Sequence, residues 1–380
     1  MLRILADENI PSAVQALSPL GEVALFKGRE LRKEHLAACD ALVVRSVTRV
    51  DRKLLEGTPV RFVATATAGT EHVHEDDLAA LGVQFASAPG SNATSVVEWV
   101  LSALSPWLRD QNRSFEGLTV AIIGCGNVGG RLCKALEALG AKVLPVDPPL
   151  AEKTGDRRYV TLKEVVDADV LTFHVPHVEG GPHPTVGMVS QSFLSTLRSK
   201  PLFINASRGE VVDEGALLGA LDGGYVRDLM LDVWQGEPRI RPELLNRCLL
   251  STPHIAGYAF TAKLKGLQMV VDALCRWLGK PGYWDWRSSL GPEANPVRAM
   301  PAHPSESFEE YLNRVIQSAY DVRRDSRALR EGPVGALAAH FDRLRKEYPR
   351  RSEWECHTIQ AGPIPAPWRK NLESIGFKVI

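Results

Sequence analysis

Short apolar runs alternate with polar segments along the first ninety residues. The polar segments Asp51–Glu56 and Glu75–Leu81 have helical character. Continuous apolar strands separated by helices favour a small parallel α/β domain. The predicted strands are Arg3–Ala6, Ala41–Val44, Phe62–Thr65 and Val83–Phe85.

This rhythm breaks at Ala88–Thr94, where small and polar residues collect. Ser95 followed three residues later by Glu98 has the spacing of a capping box. It predicts the start of an apolar helix that continues to Trp107. We expect this helix to cross from one domain to the next.

A second α/β series follows and predicts a doubly wound parallel sheet of the Rossmann type, because its strands are apolar throughout. An apolar helix, Thr261–Leu278, comes next and is expected to return to the N-terminal unit. The predicted strands are Leu118–Gly124, Lys142–Asp147, Val170–Phe173, Leu202–Asn205, Leu229–Asp232 and Leu249–Thr252.

The pattern changes again after Gly279, and the last hundred residues form a third unit, a small α+β domain. Its predicted elements are the helices Phe308–Leu329 and Val334–Glu347 and the strands Trp354–Gln360 and Phe377–Ile380. An apolar stripe at helical spacing predicts a homodimer through this unit. The stripe consists of Tyr311, Leu312, Val315, Ile316, Ala319 and Tyr320.

The expected domains are therefore a substrate domain over residues 1–93 with the return helix 258–280, a nucleotide domain over 94–257 and a dimerisation domain over 281–380. A chain of 380 residues is long enough for two or three such domains.

Composition narrows the function classes. The 45 basic residues balance the 45 acidic ones, so no global field favours nucleic acid. No apolar stretch approaches the ~18 residues of a membrane span, and no targeting segment is evident, so we expect a cytoplasmic protein without membrane partners. Six scattered cysteines without a Cys-x-x-Cys pair are expected to be reduced core residues.

A glycine-rich loop directly follows one predicted strand and opens a helix. Its glycines Gly124, Gly126 and Gly129 enclose Cys125, Asn127 and Val128. Glycines at these offsets let main-chain N–H groups approach a pyrophosphate. Asp147 ends the next strand, where a carboxylate binds a ribose 2′-hydroxyl and repels a 2′-phosphate, so we expect NAD rather than NADP. The alternative is an ordinary tight strand–helix turn.

Three further residues supply the chemistry that oxidises an alcohol beside a carboxylate. Arg208 can bind a carboxylate through its planar fork, and His254 can take the hydroxyl proton. Glu237 can orient the imidazole and favour its charged form. With Asp232, they follow successive predicted strands at the edge where doubly wound sheets bind ligands. Singly, each could instead be an ordinary surface or loop residue.

Three histidines, His174, His177 and His183, lie within ten residues and could ligate zinc. The run contains Pro and Gly at four positions and has no helical i, i+4 pair, which favours a loop over the cofactor. We therefore predict no metal site.

These motifs resemble the D-isomer-specific 2-hydroxyacid dehydrogenase family over roughly residues 1–280. The matching runs are Val44–Thr48, Ala68–Thr70, Gly124–Gly129, Asn205–Asp213, Leu231–Pro238 and Thr252–Gly257. The resemblance implies a flavodoxin-like substrate domain split around the nucleotide domain, and a catalytic set of Arg208, Glu237 and His254.

The resemblance also implies further contacts. The cofactor would contact Gly124, Gly126, Asn127, Val128, Gly129, Asp147, Val175, Ala206, Ser207, Arg208, Asp232 and Gly257. The substrate pocket would contain Ser46, Thr67, Gly69 and Tyr258.

Within the family, Tyr320–Asp325 and Phe341–Lys346 are most similar to a branch that oxidises 4-phospho-D-erythronate. The implied partner is thus a small phosphorylated 2-hydroxy acid, whose phosphate Arg45, Ser46, Arg49 or the basic tail could hold. Another 2-hydroxy acid, such as 3-phosphoglycerate, and an NAD-sensing module without turnover remain as alternatives. A sensing module, however, has no need of a base and its orienting carboxylate.

Overall fold

A computed structural model describes residues 1–333 and 335–380 of the chain. Five strands and three short helices make up the first 92 residues. The strands are β1 (Leu2–Asp7), β2 (Gly21–Phe26), β3 (Ala41–Val44), β4 (Phe62–Thr65) and β5 (Gln84–Ala86). The helices are α1 (Ala13–Leu17), α2 (Arg52–Leu55) and α3 (Glu75–Ala80). Strand β2, whose side chains are mostly accessible, was not predicted.

Residues 93–257 alternate strands and helices as predicted. The helices are α4 (Ala93–Asp110), α5 (Gly129–Ala138), α6 (Pro148–Thr154), α7 (Gln191–Leu194), α8 (Glu214–Asp222) and α9 (Pro242–Arg247). The strands are β6 (Thr119–Ile123), β7 (Lys142–Val146), β8 (Val170–Phe173), β9 (Leu202–Asn205), β10 (Asp228–Leu231) and β11 (Leu250–Ser251).

The remaining residues begin with the predicted return helix, α10 (Phe260–Trp277). The elements after it are β12 (Val297–Ala299), α11 (Phe308–Ala319), α12 (Val322–Arg330), α13 (Leu337–Lys346), β13 (Thr358–Gln360), α14 (Ala366–Ser374) and β14 (Lys378–Val379). Val334, the predicted first residue of the helix before the last strands, lies outside the described residues. Strand β12 and helix α14 were not predicted.

The chain divides into two compact units. Unit 1 comprises Met1–Asn92 and Tyr258–Ala294, and unit 2 comprises Ala93–Gly257 and Asn295–Ile380. Residues 281–294, expected in a third domain, fall within unit 1 by this division, and the C-terminal segment from Asn295 onward falls within the same unit as the nucleotide domain.

Unit 1 is built on a five-stranded parallel sheet with the order β2-β1-β3-β4-β5. This is the flavodoxin order, so the predicted fold class is confirmed for this unit. Apolar side chains of β1, β3 and β4 point to both faces and are buried there. On one face they pack with α1 and α10, through residues such as Leu17, Leu267 and Leu274.

Unit 2 contains a six-stranded parallel sheet with the order β11-β10-β9-β8-β6-β7. The order reverses at β6, as in the doubly wound Rossmann folds, and this confirms the predicted class. A smaller sheet of β12, β13 and β14 belongs to the C-terminal segment. Its three strands pair in parallel, and β13 continues to β14 through α14.

Two local predictions for unit 2 are wrong. Helix α4 begins at Ala93, so Ser95 and Glu98 lie inside it and do not form a capping box; their side chains bind the C-terminal segment. The predicted helix Phe308–Leu329 is also interrupted. Tyr320 has extended backbone, and Asp321 caps a new helix by accepting from the Arg323 N–H.

The apolar stripe on α11 does not lie exposed. Tyr311, Leu312, Val315 and Ile316 are each at most 1% accessible within the single chain. Asn313 on the same helix accepts a hydrogen bond from Ser105 of α4 at 3.1 Å. The stripe therefore packs on its own unit, and it supplies no argument for a homodimer.

All six cysteines are buried free thiols. Within the described ranges, no helix combines the length and apolarity that crossing a membrane requires.

Candidate active site

The carboxyl ends of the six strands β6 to β11, which form the larger sheet of unit 2, lie along one edge of that sheet. Strand pairing places Ile123 of β6 beside Val146 and Phe173, and Asn205 of β9 beside Phe173 and Leu231. The residues that follow these strands therefore emerge side by side. They include most of the predicted site: Gly124, Gly126, Asp147, Val175, Ala206, Ser207, Arg208, Asp232 and His254.

The glycine-rich loop fits a dinucleotide by its shape. Helix α5 starts at Gly129 with Val128 as its N-cap, so its positive end faces this edge. A Cβ on Gly129 would lie 1.9 Å from the Gly124 carbonyl oxygen, which excludes any other residue there. A Cβ on Gly126, by contrast, would have no other atom within 4 Å. The loop is thus closed towards the protein and open on the side where a pyrophosphate would bind.

Asp147 connects this loop to the next element. One carboxylate oxygen accepts from the Cys125 N–H at 2.7 Å, and the other accepts from the Leu150 N–H at 3.0 Å as the N-cap of α6. A carboxylate has about four acceptor positions, so two main-chain donors leave capacity for ribose hydroxyls. Asp147 therefore shapes the loop as well as fitting its predicted role.

The turn after β9 is fixed by its own polar side chains. Asn205 accepts from the Ser207 N–H at 3.1 Å and hydroxyl at 2.7 Å, and it donates to the Arg208 carbonyl at 2.9 Å. The Arg208 guanidinium donates to the Ser207 carbonyl at 2.8 Å and remains partly accessible. These bonds hold Ala206 to Arg208 in one conformation at the sheet edge.

His254 and Glu237 form a close hydrogen-bonded pair. The imidazole Nδ1 lies 2.7 Å from Glu237 Oε2, and Glu237 Oε1 accepts from the Trp234 N–H at 2.9 Å. Burial opposes the charge on Glu237, but the neighbouring imidazole and these hydrogen bonds lower the pKa of the carboxyl. Glu237 thus stays ionised and favours the tautomer with a proton on Nδ1, which leaves Nε2 able to accept a proton.

Asp232 holds the loop that carries His254. Its two buried oxygens accept from the N–H groups of Ile255 at 2.8 Å and Ala256 at 3.0 Å, and also from the Thr252 hydroxyl at 2.5 Å. Burial raises the pKa of Asp232, although His254 and these hydrogen bonds oppose the rise. The carboxylate therefore serves the loop itself, and its contact with the cofactor stays a prediction.

The three histidines after β8 have separate partners. His174 lies 2.9 Å from the Thr172 hydroxyl, and burial lowers its pKa to about 3. His177 lies 3.3 Å from Glu179, and His183 lies 3.0 Å from Glu152. In the part of the chain that the structure describes, no three His, Cys, Asp or Glu side chains are grouped to hold a metal ion.

The predicted substrate residues belong to unit 1. Val44 of β3 pairs with Thr65 of β4, so the loops that carry Ser46 and Thr67 leave the sheet together. The Thr67 hydroxyl lies 2.7 Å from that of Thr65 and donates to the Gly69 carbonyl at 3.1 Å. Ser46 is exposed.

The strand order of unit 1 reverses between β1 and β3, and ligands bind open parallel sheets at such points. Arg45 and Ser46 directly follow β3. Helix α10 lies close to the neighbouring loop, because a Cβ on Gly266 would be 2.5 Å from the Ala66 carbonyl oxygen. Tyr258 precedes α10, and its ring has the Lys263 ammonium 4.8 Å from the centroid.

The sequence did not reveal one residue beside the loop that carries His254. The Arg351 guanidinium donates to the Ala256 carbonyl at 3.2 Å and to Glu98 at 3.0 Å. Nothing in the local sequence around Arg351 marks this contact, because its partners lie 95 and 253 residues away.

Comparison with known families matches two parts of the chain. Residues 98–256 match the model described as D-isomer specific 2-hydroxyacid dehydrogenase, NAD binding domain. Residues 293–376 match a model described as a domain of unknown function.

Sequence relatives cover nearly the whole chain. The erythronate-4-phosphate dehydrogenase of Marinobacter nauticus is 42% identical over 388 residues, with 99% of both chains covered. That of Proteus mirabilis is 44% identical over 378 residues, again with 99% of both covered.

Solved structures share the fold. Aquifex aeolicus D-lactate dehydrogenase, complexed with NAD and lactic acid, is 22% identical with a TM-score of 0.59, and the match covers 73% of this chain and 95% of that one. The NAD-bound 3-phosphoglycerate dehydrogenase of Entamoeba histolytica is 20% identical with a TM-score of 0.62, at the same coverage.

Proposed function

The chain belongs to the D-isomer-specific 2-hydroxyacid dehydrogenase family, and from that premise we propose that it oxidises 4-phospho-D-erythronate at C2 with NAD. The product would be (R)-3-hydroxy-2-oxo-4-phosphooxybutanoate, a precursor in pyridoxal 5′-phosphate synthesis. The observation that carries the chemistry is the 2.7 Å pair of His254 and Glu237 on the sheet edge that also holds the glycine-rich loop. The phosphorylated four-carbon substrate follows from the full-length relatives.

His254 acts as the base in this proposal. With Nδ1 bonded to Glu237, its Nε2 takes the proton of the C2 hydroxyl, and the Glu237 carboxylate stabilises the imidazolium that results. In the reverse direction the same nitrogen returns the proton. By comparison, the contact of His177 with Glu179 after β8 is longer, at 3.3 Å, and its carboxylate is exposed.

Arg208 binds the substrate carboxylate. Its planar guanidinium can form two parallel hydrogen bonds and stays charged at any physiological pH. The turn fixed by Asn205 keeps the main chain beneath it in place. The positive charge also stabilises the negative charge that develops on the C2 oxygen as its proton leaves.

NAD, when bound, accepts the hydride from C2. Gly124 to Gly129 would hold its pyrophosphate, with Asp147 at the ribose. Because Asp147 carries a negative charge where a 2′-phosphate would lie, we propose NAD over NADP. The remaining predicted contacts, Val175, Ala206, Ser207, Asp232 and Gly257, belong to the same proposal.

In unit 1 we propose that Ser46, Thr67, Gly69 and Tyr258 contact the substrate, with Arg45 as the cation for its phosphate. Arg49 is a weaker candidate, because it already pairs with Asp51 at 3.0 Å. We also propose a cytoplasmic homodimer, whose interface would lie elsewhere than on the buried stripe of α11, and light scattering measures the oligomeric state directly.

A substrate panel read by NADH absorbance tests the function. We expect 4-phospho-D-erythronate to be oxidised at least about a hundredfold more efficiently than D-erythronate, since lost charge-assisted phosphate contacts cost ~1.5–3 kcal/mol each. 3-Phosphoglycerate and D-lactate, run in parallel with NAD and NADP, decide between the members of the family. Equal efficiency with 3-phosphoglycerate would refute the substrate assignment but leave the family chemistry intact.

A further inference from the structure

A buried ion pair joins the C-terminal segment to helix α4. The side chain of Arg351 is 8% accessible and that of Glu98 is 2% accessible, and Nη1 lies 3.0 Å from Oε2. The other oxygen of Glu98 accepts from the Trp354 N–H at 2.6 Å. Beside this pair, Ser95 donates to Glu353 at 2.7 Å. The first turns of α4 are therefore bound to residues more than 250 positions later in the chain.

The same guanidinium also reaches the catalytic loop. Its Nη2 donates to the carbonyl of Ala256, two residues after His254, at 3.2 Å. The Ala256 N–H donates to Asp232 at 3.0 Å. Both main-chain polar groups of Ala256 are therefore hydrogen-bonded, the N–H to Asp232 and the carbonyl to Arg351. The second of these two hydrogen bonds comes from the C-terminal segment, through Arg351.

The charge on Arg351 is well supported. Its guanidinium carbon lies 3.9 Å from the centre of the Tyr320 ring. Burial disfavours the charge, but Tyr348, Tyr320, Glu98 and Asp325 raise the pKa of the guanidinium. Replacing such a buried pair by apolar residues is often neutral or stabilising. Stability alone therefore does not explain why an arginine occupies this place.

His254 needs external support. Its φ is 56°, in the left-handed region, which is strained for a residue other than glycine and persists only where the surrounding structure holds it. In this conformation the imidazole Nδ1 lies 2.7 Å from Glu237 Oε2. Releasing the Ala256 carbonyl would remove one of the restraints that impose it.

We propose that Arg351 is a positioning residue for the reaction: by binding the Ala256 carbonyl against Glu98, it keeps the imidazole of His254 on Glu237. This inference rests on the proposed role of His254 as the base. It gives the C-terminal segment, which matches a domain of unknown function, a part in positioning the base.

The test compares Arg351→Gln and Arg351→Lys with the wild type. The full-length enzyme is assayed for kcat and KM, and NADH binding is titrated by fluorescence. We expect Arg351→Gln to lower kcat by ~10–100-fold, as a small misplacement of a catalytic group does, with KM and the NADH dissociation constant within about threefold. Arg351→Lys, which keeps the charge but not the fork, should recover part of kcat.

Arg314→Gln is the matched control. It breaks a 2.7 Å arginine–glutamate pair in the same segment, with Glu306, and the Arg314 guanidinium also donates to the Pro301 carbonyl at 2.9 Å rather than to Ala256. We expect it to lower the melting temperature and leave kcat unchanged. An Arg351→Gln protein that melts lower but keeps the wild-type kcat would overturn the proposal.

A second readout does not depend on turnover. The Nδ1 proton between His254 and Glu237 should give a low-field NMR resonance, assigned by its loss in His254→Asn. We expect that resonance to broaden or disappear in Arg351→Gln and to persist in Arg314→Gln. If the wild type oxidises no panel substrate, the proposed function fails, while this resonance still tests the positioning. An unchanged resonance in Arg351→Gln would refute it.

Should Arg351→Gln not fold, the double variant Glu98→Gln/Arg351→Met removes both buried charges. The introduced glutamine keeps an oxygen for the Trp354 N–H, and the introduced methionine fills the space of the arginine stem. Loss of kcat and of the resonance in this folded protein supports the proposal, and wild-type values overturn it.

Discussion

The two units present their candidate residues in different ways. In unit 2, His254, Glu237 and Asp232 each make a short hydrogen bond that fixes position, and Asp232 and the backbone around His254 are buried. In unit 1, Ser46 is exposed and Arg45 is only partly covered. The side-chain hydrogen bonds of Thr67 go to Thr65 and Gly69, each two residues away.

This contrast separates chemistry from recognition. Proton transfer requires an imidazole at a fixed place, so its surroundings are built in before substrate arrives. A phosphate dianion, by contrast, can be bound by accessible donors on a loop that adapts to it. We therefore expect substitutions at the carboxyl ends of the unit 2 strands to lower kcat, and those at the carboxyl ends of the unit 1 strands to raise KM.

The largest effect is expected for His254→Asn. Asn tolerates left-handed backbone, so the loop should keep its shape while the base is lost. We expect kcat to fall by ~10²–10⁴-fold, with the NADH dissociation constant unchanged. Stopped-flow and fluorescence titration measure the two, with His177→Asn as the control. Near-wild-type turnover would remove His254 from the mechanism.

Arg208→Lys tests the second member of the same edge. An ammonium cannot reproduce the two parallel hydrogen bonds of the guanidinium, so we expect kcat/KM to fall by about a hundredfold. The exposed Arg239 provides the control, Arg239→Lys, which should behave as wild type. Steady-state kinetics with 4-phospho-D-erythronate decides, and an unaltered kcat/KM would place Arg208 outside the site.

At acid pH, protonation of His357 should lower the free energy of unfolding of unit 2. Burial lowers the pKa of this side chain to about 4, whereas in the unfolded chain it is close to 6.5. As the pH falls, the unfolded chain therefore binds the proton at a higher pH than the folded chain does. The stability present above pH 6.5 is lost as the pH falls towards 4, by about 2 kcal/mol at pH 5.

His357→Gln removes this titration. Urea unfolding at pH 7.5 and pH 5 should show a wild-type loss about 2 kcal/mol larger than that of the variant. In unit 1, burial also lowers the pKa of His72, so His72→Gln compares the acid sensitivity of the two units. Identical losses in wild type and His357→Gln would show that His357 does not protonate on unfolding.

Ser46→Ala is the mildest test and addresses unit 1. Loss of one hydroxyl donor to a phosphate should raise KM for 4-phospho-D-erythronate by about tenfold, or ~1.4 kcal/mol, and leave kcat nearly unchanged. D-Erythronate is the control substrate, because it has no phosphate to lose. A fall in kcat with constant KM would contradict the division of labour between the units.

The parallel sheets were predictable because their central strands are continuous apolar runs. Ala41–Val44 and Phe62–Thr65 match the structure at both ends. Strand β2 was missed for the opposite reason: it is the outermost strand of its sheet, with accessible side chains at most positions. The position of this strand is determined by its pairing with β1, which no local sequence pattern reveals.

The two wrong helix predictions in unit 2 share one physical origin, long-range polar contacts. Ser95 and Glu98 have the local spacing of a cap, but their partners Glu353 and Trp354 lie in the C-terminal segment. The break at Tyr320 is likewise fixed by Ser102, which binds the Tyr320 carbonyl at 2.6 Å. The predicted contact of Glu237 with His254 needed only the order of successive strands, and for that reason it could be inferred.

The six buried thiols can report how often the folded chain opens. Burial raises the pKa of Cys39 to about 11 and that of Cys248 still further, so in the folded chain these sulfurs are protonated as well as shielded. Only the thiolate attacks a disulfide reagent. Under native conditions, the rate at which such a reagent reacts therefore reports how often the buried thiols become exposed, and variants that keep only Cys39 in unit 1 or only Cys248 in unit 2 would report on the two units separately.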